Sequence, residues 1–238
     1  MRLKRLVGAG ERFLREGDLG PFRKTVKRND NYLLLGVTGG IASGKTVVAE
    51  MLEALGAPLI DFDLLARQVV EPGKPAFKEI VGYFGKQVLH EDGTLDRKKL
   101  SKIIFQDPEK RTQLEGITHP PIYEAFFKRV SDITDKDPAA IIQAVVPLLI
   151  EKNLQSMFDK VLVVYVSEAQ QIERLVERDG ITREEAVHIL KAQLPIDEKL
   201  AYADFVVNNE ASVEETRKQV EEIWLEVKRL QGEKTRSP

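Results

Sequence analysis

Eight consecutive residues, Gly39-Gly40-Ile41-Ala42-Ser43-Gly44-Lys45-Thr46, follow the pattern G-x-x-x-x-G-K-[ST] and have the makings of a loop that holds phosphate. Glycines let successive backbone N–H groups turn toward one anion, and a helix beginning near Gly44 adds the positive end of its dipole. Lys45 is then placed to neutralise charge on β- and γ-phosphates, and Thr46 to offer its hydroxyl to Mg²⁺. Val47 closes the stretch expected to touch the nucleotide. The chemistry implied is transfer of a phosphoryl group from ATP, with Mg²⁺ as the cofactor.

A second group is Asp61-Phe62-Asp63, with Arg67 one helical turn later. Asp63 has two compatible readings: it accepts or orients an acceptor hydroxyl proton, or it caps the helix that follows. Arg67 suits an acceptor phosphate. A third group, Arg174, Arg178, Asp179-Gly180 and Arg183, places guanidiniums around a turn between helices. Such a run is either a solvated face or a flap that closes over developing charge and excludes water. We read it as a flap, with Arg178 acting in catalysis alongside Lys45 and Asp63. Asn209, after the last expected strand, and Arg174 are candidates for contact with the nucleotide, by analogy with this architecture.

These side chains need a frame that gathers strand ends. Residues 32–37 form an apolar run ending in the Gly-rich turn, which predicts a buried strand. Val47, Val48, Met51, Leu52 and Leu55 then recur at helical spacing until Gly56. Residues 58–61 suggest a short strand and 64–70 an amphipathic helix. Residues 73–135 show no comparable strand, only helical segments punctuated by Pro75, Gly93, Pro108 and a break at His119-Pro120-Pro121. Strand character returns at 140–146, 160–166 and, more weakly, 203–207, before a closing helix over 213–230. Strands alternating with helices predict a P-loop three-layer α/β/α fold around a parallel sheet of about five strands. The core is expected to comprise 31–72 and 136–238, with a helical insertion at 73–135.

The 238 residues are 42% hydrophobic and 31% charged, and the longest apolar runs fall short of the roughly 20 residues that cross a bilayer. No membrane span is expected. Cysteine is absent, which excludes disulfides, thiolate nucleophiles and Cys-ligated metals. His90, His119 and His188 are scattered, so an expected metal is a hard ion with oxygen ligands, such as Mg²⁺. Net charge is −2, but residues 1–30 hold nine Lys or Arg against four Asp or Glu. That basic stretch suggests a poorly ordered appendage more than a nucleic-acid, membrane-surface or targeting segment, and no nucleic-acid partner is expected. The sequence leaves oligomeric state open.

Over residues 33–230 the chain resembles the dephospho-CoA kinases. The resemblance rests on Gly-Val-Thr-Gly-Gly-Ile-Ala-Ser-Gly-Lys-Thr at 36–46, Asp-Phe-Asp-Leu-Leu-Ala-Arg at 61–67 and Asp-Gly-Thr-Leu-Asp-Arg at 92–97. It continues in Leu-Glu-Gly-Ile-Thr-His-Pro at 114–120, Pro-Leu-Leu-Ile-Glu at 147–151, Gln193, and Ala203-Asp204 leading to Asn209. It implies a cytoplasmic enzyme that phosphorylates the ribose 3′-hydroxyl of dephospho-CoA with ATP. It further implies an acceptor-binding insertion at 73–135, a lid at about 174–190, and acceptor contacts from Asp63, Arg67, His119, Pro147, Leu148 and Glu151. The alternatives are another P-loop kinase for a nucleotide or nucleoside, or an NTP-dependent switch. A switch would more often show a strand-end D-x-x-G or N-K-x-D motif, and this sequence has neither at a suitable place. Ala42 replaces a frequent Gly, which is tolerable where φ is negative. Phe62 and Asn208 are further departures, and neither removes a group assigned to chemistry.

Overall fold

The computed structural model describes residues 31–236; the basic stretch 1–30 lies outside the described residues. Leu33–Gly39 forms strand β1, buried along its whole length, as expected of a strand covered on both faces. β2 (Leu59–Asp61), β3 (Ile141–Val145), β4 (Lys160–Tyr165) and β5 (Phe205–Asn208) join it in one five-stranded sheet of order β2-β3-β1-β4-β5. Every pairing is parallel; Gly36 lies opposite Ala144 on one side and Val161 on the other. The chain leaves β1 with partners on both flanks, so its carboxyl end opens at the point where the strand order reverses. That is the crevice where open α/β sheets bind ligands.

Alternation along the strands sorts side chains into two cores. Leu33, Leu35 and Val37 of β1, with Leu162 and Val164 of β4, face helix α1 (Lys45–Ala54) and the closing helix α9 (Val213–Arg236), which supplies Val220, Trp224 and Val227. Leu34, Ile142, Ala144, Val161 and Val163 face the opposite layer, built by α2 (Phe62–Gln68) and the second half of α5 (Pro108–Thr134). The sheet lies between two helical layers, as the sequence pattern predicts. Gln143 is buried in the sheet and donates to the carbonyls of Ala49 and Ala57 at 2.8 and 3.0 Å, tying the middle of α1 to the turn before β2.

Helices α3 (Pro75–Phe84) and α4 (Arg97–Gln106), with the first half of α5, gather a smaller core from Val70, Ile80, Phe84, Leu100 and Ile117. α5 belongs to both cores. The expected break at His119-Pro120-Pro121 does not occur: α5 runs through both prolines. Each proline removes one backbone donor, a loss of about 3 kcal/mol in a free helix. Here Ile117 lies buried on one side of the pair, and Ile122, Tyr123 and Phe126 on the other. Burial at both ends outweighs the lost bonds. The link between β3 and β4 consists of turns and one 3₁₀ segment at Gln155–Met157.

The remaining helices are α6 (Glu168–Asp179) and α7 (Arg183–Lys191), joined through Gly180 at φ 64°, then the short α8 (Ile196–Leu200). α6 and α7 pair through Ile172, Leu175 and Ala186, and Ile41 and Ala42 rest against that cluster. A capping box between Thr182 and Glu185 starts α7.

Phe126 is fully buried, with ring centroids 5.0 Å from Phe62, 5.1 Å from Phe127 and 6.1 Å from Phe158. Phe126→Ala is expected to lower unfolding free energy by about 3–5 kcal/mol, measured by urea denaturation.

Candidate active site

β1 ends at Gly39, and the chain turns through residues 40–44 before α1 starts at Lys45. Two glycines are fixed by contact as well as by fold. A Cβ at Gly39 would lie 2.4 Å from the Val164 carbonyl oxygen, and one at Gly44, where φ is 85°, would lie 2.2 Å from Asn209 Nδ2. Ala42 has φ 56°, so the negative angle expected for a residue other than glycine is not observed. A left-handed residue inside the loop is what a concave row of N–H groups requires, and the Ala42 methyl rests against the α6–α7 cluster. The left-handed conformation costs Ala about 1–2 kcal/mol.

Lys45 donates to the carbonyls of Gly40 at 2.7 Å and Gly39 at 3.3 Å. Burial, and next the nearby Lys199 ammonium, pull its pKa down to about 8, against the opposing pull of Asp63 and Glu151. The Thr46 and Val47 side chains are exposed at the mouth of the loop. Asn209 Nδ2 donates to the Ser43 carbonyl at 2.9 Å, and Asn209 in turn accepts at Oδ1 from Thr216 Oγ1 at 2.9 Å. Arg174 donates to the Asn209 carbonyl at 2.7 Å. Both residues proposed for the nucleotide are thus wired to the loop that receives its phosphates.

The two aspartates after β2 divide their roles. Asp61 is the N-cap of α2, accepting the N–H groups of Asp63 at 2.8 Å and Leu64 at 3.2 Å. The capping reading of Asp63 therefore fails, and its exposed carboxylate is left within charge range of Arg67 and Lys45. Solvent reaches Asp63, yet the surrounding protein strips part of its hydration, and this raises its pKa. Asp61 adds to the rise, while Arg67 and Lys45 oppose it. Arg97 was quoted in a motif but given no role by sequence reasoning. Its Nη2 lies 3.4 Å from the Arg67 carbonyl oxygen, and burial and then the Arg67 charge weaken its basicity. Neither guanidinium is salt-bridged among the described residues. Two nearby guanidiniums, neither held in a salt bridge although Arg67 acts on Asp63, suit an anion.

Arg178 is exposed and grips Asp179 with two hydrogen bonds of 2.7 and 2.9 Å, although its charge is felt at Lys45. His119 stands apart from Lys45 and Asp63: its ring is 6.0 Å from Tyr123, and its charge interactions are with Glu115 and Lys152. Burial lowers the His119 pKa. Pro147 accepts from Thr38 Oγ1 at 3.3 Å, and Leu148 is exposed beside it. Glu151 is committed within the protein, its Oε1 accepting from Leu194 N at 3.2 Å and pairing with Lys199 at 2.7 Å. No spacing or pattern in the sequence pointed to Lys199.

A central parallel strand that feeds a glycine-rich loop, a lysine at the start of the following helix and a carboxylate just beyond the end of β2, across β3 from β1, define a P-loop phosphotransferase. A family model described as dephospho-CoA kinase matches residues 33–215. A dephospho-CoA kinase from Geobacter metallireducens is 47% identical over 194 residues, covering 82% of this chain and 96% of its own. One from Shouchella clausii is 48% identical over 186 residues, covering 78% and 94%. A solved dephospho-CoA kinase from Campylobacter jejuni superposes with a TM-score of 0.62 at 29% identity, covering 82% of this chain and 97% of that one. The chain belongs to the dephospho-CoA kinase family.

The strain at Ala42 can be released. Ala42→Gly is expected to raise Tm by roughly 1–4 °C at unchanged turnover, since relief of the left-handed strain exceeds the chain entropy that glycine adds. Differential scanning calorimetry measures the shift.

Proposed function

We propose that this protein transfers the γ-phosphoryl group of ATP to the ribose 3′-hydroxyl of dephospho-CoA, giving CoA and ADP, the last step of CoA biosynthesis. The observation that carries the reading is the convergence of Lys45 and Asp63 across the ends of β1 and β2, each close enough to perturb the other's charge. The family to which the chain belongs supplies the acceptor.

The loop N–H groups and Lys45 receive the phosphates of ATP, with the start of α1 behind them. The Thr46 hydroxyl is exposed where a triphosphate-bound ion would need it. Among the described residues no group of three His, Asp or Glu could hold a metal alone. The exposed Thr46 hydroxyl is an oxygen donor of the kind Mg²⁺ takes, and with the phosphates of ATP it would hold that ion, which would neutralise phosphate charge. Asp63 orients the 3′-hydroxyl and takes its proton as the new oxygen–phosphorus bond forms and the bond to the ADP oxygen breaks. Its raised pKa makes it a better base than a fully hydrated aspartate. Arg67 and Arg97 form the acceptor's anion site, so residues 73–135 are the acceptor-binding part. Residues of about 174–190 act as the lid, on which Arg178 exchanges Asp179 for phosphate oxygens when the lid closes. No described helix is long and apolar enough to cross a membrane. The reaction suits a cytoplasmic enzyme.

Purified protein with Mg-ATP is expected to phosphorylate dephospho-CoA and to leave nucleoside monophosphates unchanged; the reverse preference refutes the reading. Asp63→Asn should lower kcat by on the order of 10²-fold without changing Tm, because Asp61 holds the cap. A base must be deprotonated, and the Asp63 pKa lies above the ordinary 3.8. The acid limb of kcat/KM is therefore expected to rise with pH through a value above 3.8 and to vanish in Asp63→Asn. Arg97→Ala should raise KM for dephospho-CoA about tenfold with little change in KM for ATP, as loss of one charge-assisted contact predicts.

A further inference from the structure

Lys199 is the one charged side chain among the described residues that is completely shut off from solvent. It projects from α8, in the segment that leads from the α6–α7 pair back to the sheet. Its Nζ lies 2.7 Å from Glu151 Oε1 and 3.5 Å from the Gly39 carbonyl oxygen. That same carbonyl accepts from Lys45 Nζ at 3.3 Å, so two ammonium groups share one oxygen at the entrance of the phosphate loop. The segment is fastened at two further points. Gln193 Oε1 accepts from Ile41 N at 3.1 Å, and Glu151 Oε1 accepts from Leu194 N at 3.2 Å.

Stability does not account for the pair. A buried ion pair seldom outperforms apolar side chains of equal volume, and then only when every lone pair and proton is satisfied. This one is not, because Glu151 Oε2 is buried with no hydrogen-bond partner among the described residues. Position accounts for it better. Before ATP arrives, Lys45 is spent on the carbonyls of Gly39 and Gly40. To meet the phosphates it must leave them, and a buried acceptor left without a donor is costly.

We propose that Lys199 is a positioning residue for ATP: it keeps the Gly39 carbonyl satisfied when Lys45 departs, and its like charge favours the departure. Glu151 is the counter-ion that holds Lys199 in place, not a contact for the acceptor. The inference rests on the phosphate loop binding ATP, and it makes the segment behind the lid part of the loop's mechanism.

The test compares wild-type protein with Lys199→Met, Lys199→Arg and the double variant Lys199→Met/Glu151→Gln. Binding of Mg-ATP alone is read by calorimetry, Tm by scanning calorimetry, and KM for each substrate by the transfer assay. Lys199→Met should weaken Mg-ATP binding and raise KM for ATP about tenfold, leaving KM for dephospho-CoA unchanged. Lys199→Arg, which keeps the charge, should recover most of the affinity. The double variant should recover Tm, since no lone charge remains buried, yet stay weak for ATP. If Arg proves too large and lowers Tm, the double variant decides alone. The proposal is overturned if Lys199→Met binds Mg-ATP as tightly as wild type. It also falls if the double variant recovers ATP affinity together with Tm, or if the only change is in KM for dephospho-CoA. A wild-type control that binds ATP but fails to phosphorylate dephospho-CoA would sink the acceptor assignment and leave the role of Lys199 still decided by calorimetry.

Discussion

A loop that turns its N–H groups toward an anion must send its carbonyls elsewhere, and much of this fold answers that constraint. The Gly39 and Gly40 carbonyls point at Lys45, Gly39 is shared with Lys199, and the Ser43 carbonyl is held by Asn209. Those donors come from α1, α8 and the loop after β5, three places distant in sequence. Each needs support of its own. Asn209 is oriented by Thr216 and covered by Arg174, and Lys199 is balanced by Glu151 from the turn after β3. The phosphate loop is a short motif, but the groups that satisfy its backbone span most of the chain.

The sheet order explains how such distant segments meet. β1 has parallel neighbours on both sides, so the segments leaving β1, β3, β4 and β5 all emerge at one edge of the sheet. α2 leaves β2 at the same edge and brings Asp61 and Asp63 with it. Because α5 shares side chains with the sheet core and with the α3–α4 cluster, the position of Arg97 is coupled to the same edge. A sheet buried on both faces suits chemistry that needs alignment first, and the proposed α6–α7 flap would exclude water afterwards.

Much of this was legible in the residues. The phosphate loop, the apolar strand before it and the amphipathic helix after it agree at every level of reading, and the parallel core follows from alternation of strand and helix. What was not legible depended on tertiary contact. The prolines at 120 and 121 read as a break because local propensity cannot know that Ile117, Tyr123 and Phe126 are all buried. Ala42 looked tolerable only at negative φ, since the left-handed turn is imposed by the loop and not by the residue. Lys199 resembles any helix-surface lysine until Glu151 and Gly39 are seen beside it. Arg97 likewise gains meaning only from the approach of Arg67, thirty positions earlier.

Asp61 and Asp63 show how a fold separates two chemically identical groups. Asp61, in an extended conformation at the end of β2, accepts two N–H groups of α2 and fixes where the helix begins. Asp63 lies within the first turn of that helix, two residues on, donates its own N–H to Asp61, and its side chain takes no part in the cap. The charge of Asp61 is committed to the backbone, yet it still acts on Asp63 and helps raise its pKa. One carboxylate therefore anchors the helix and tunes the other. Moving Asp63 by a single position along the helix would turn its side chain about 100° around the axis, because α-helical residues repeat every 3.6 per turn. The spacing D-x-D thus separates the helix anchor from the residue proposed as the base, and the intervening Phe62 secures it by burying its ring against Phe126 in the core.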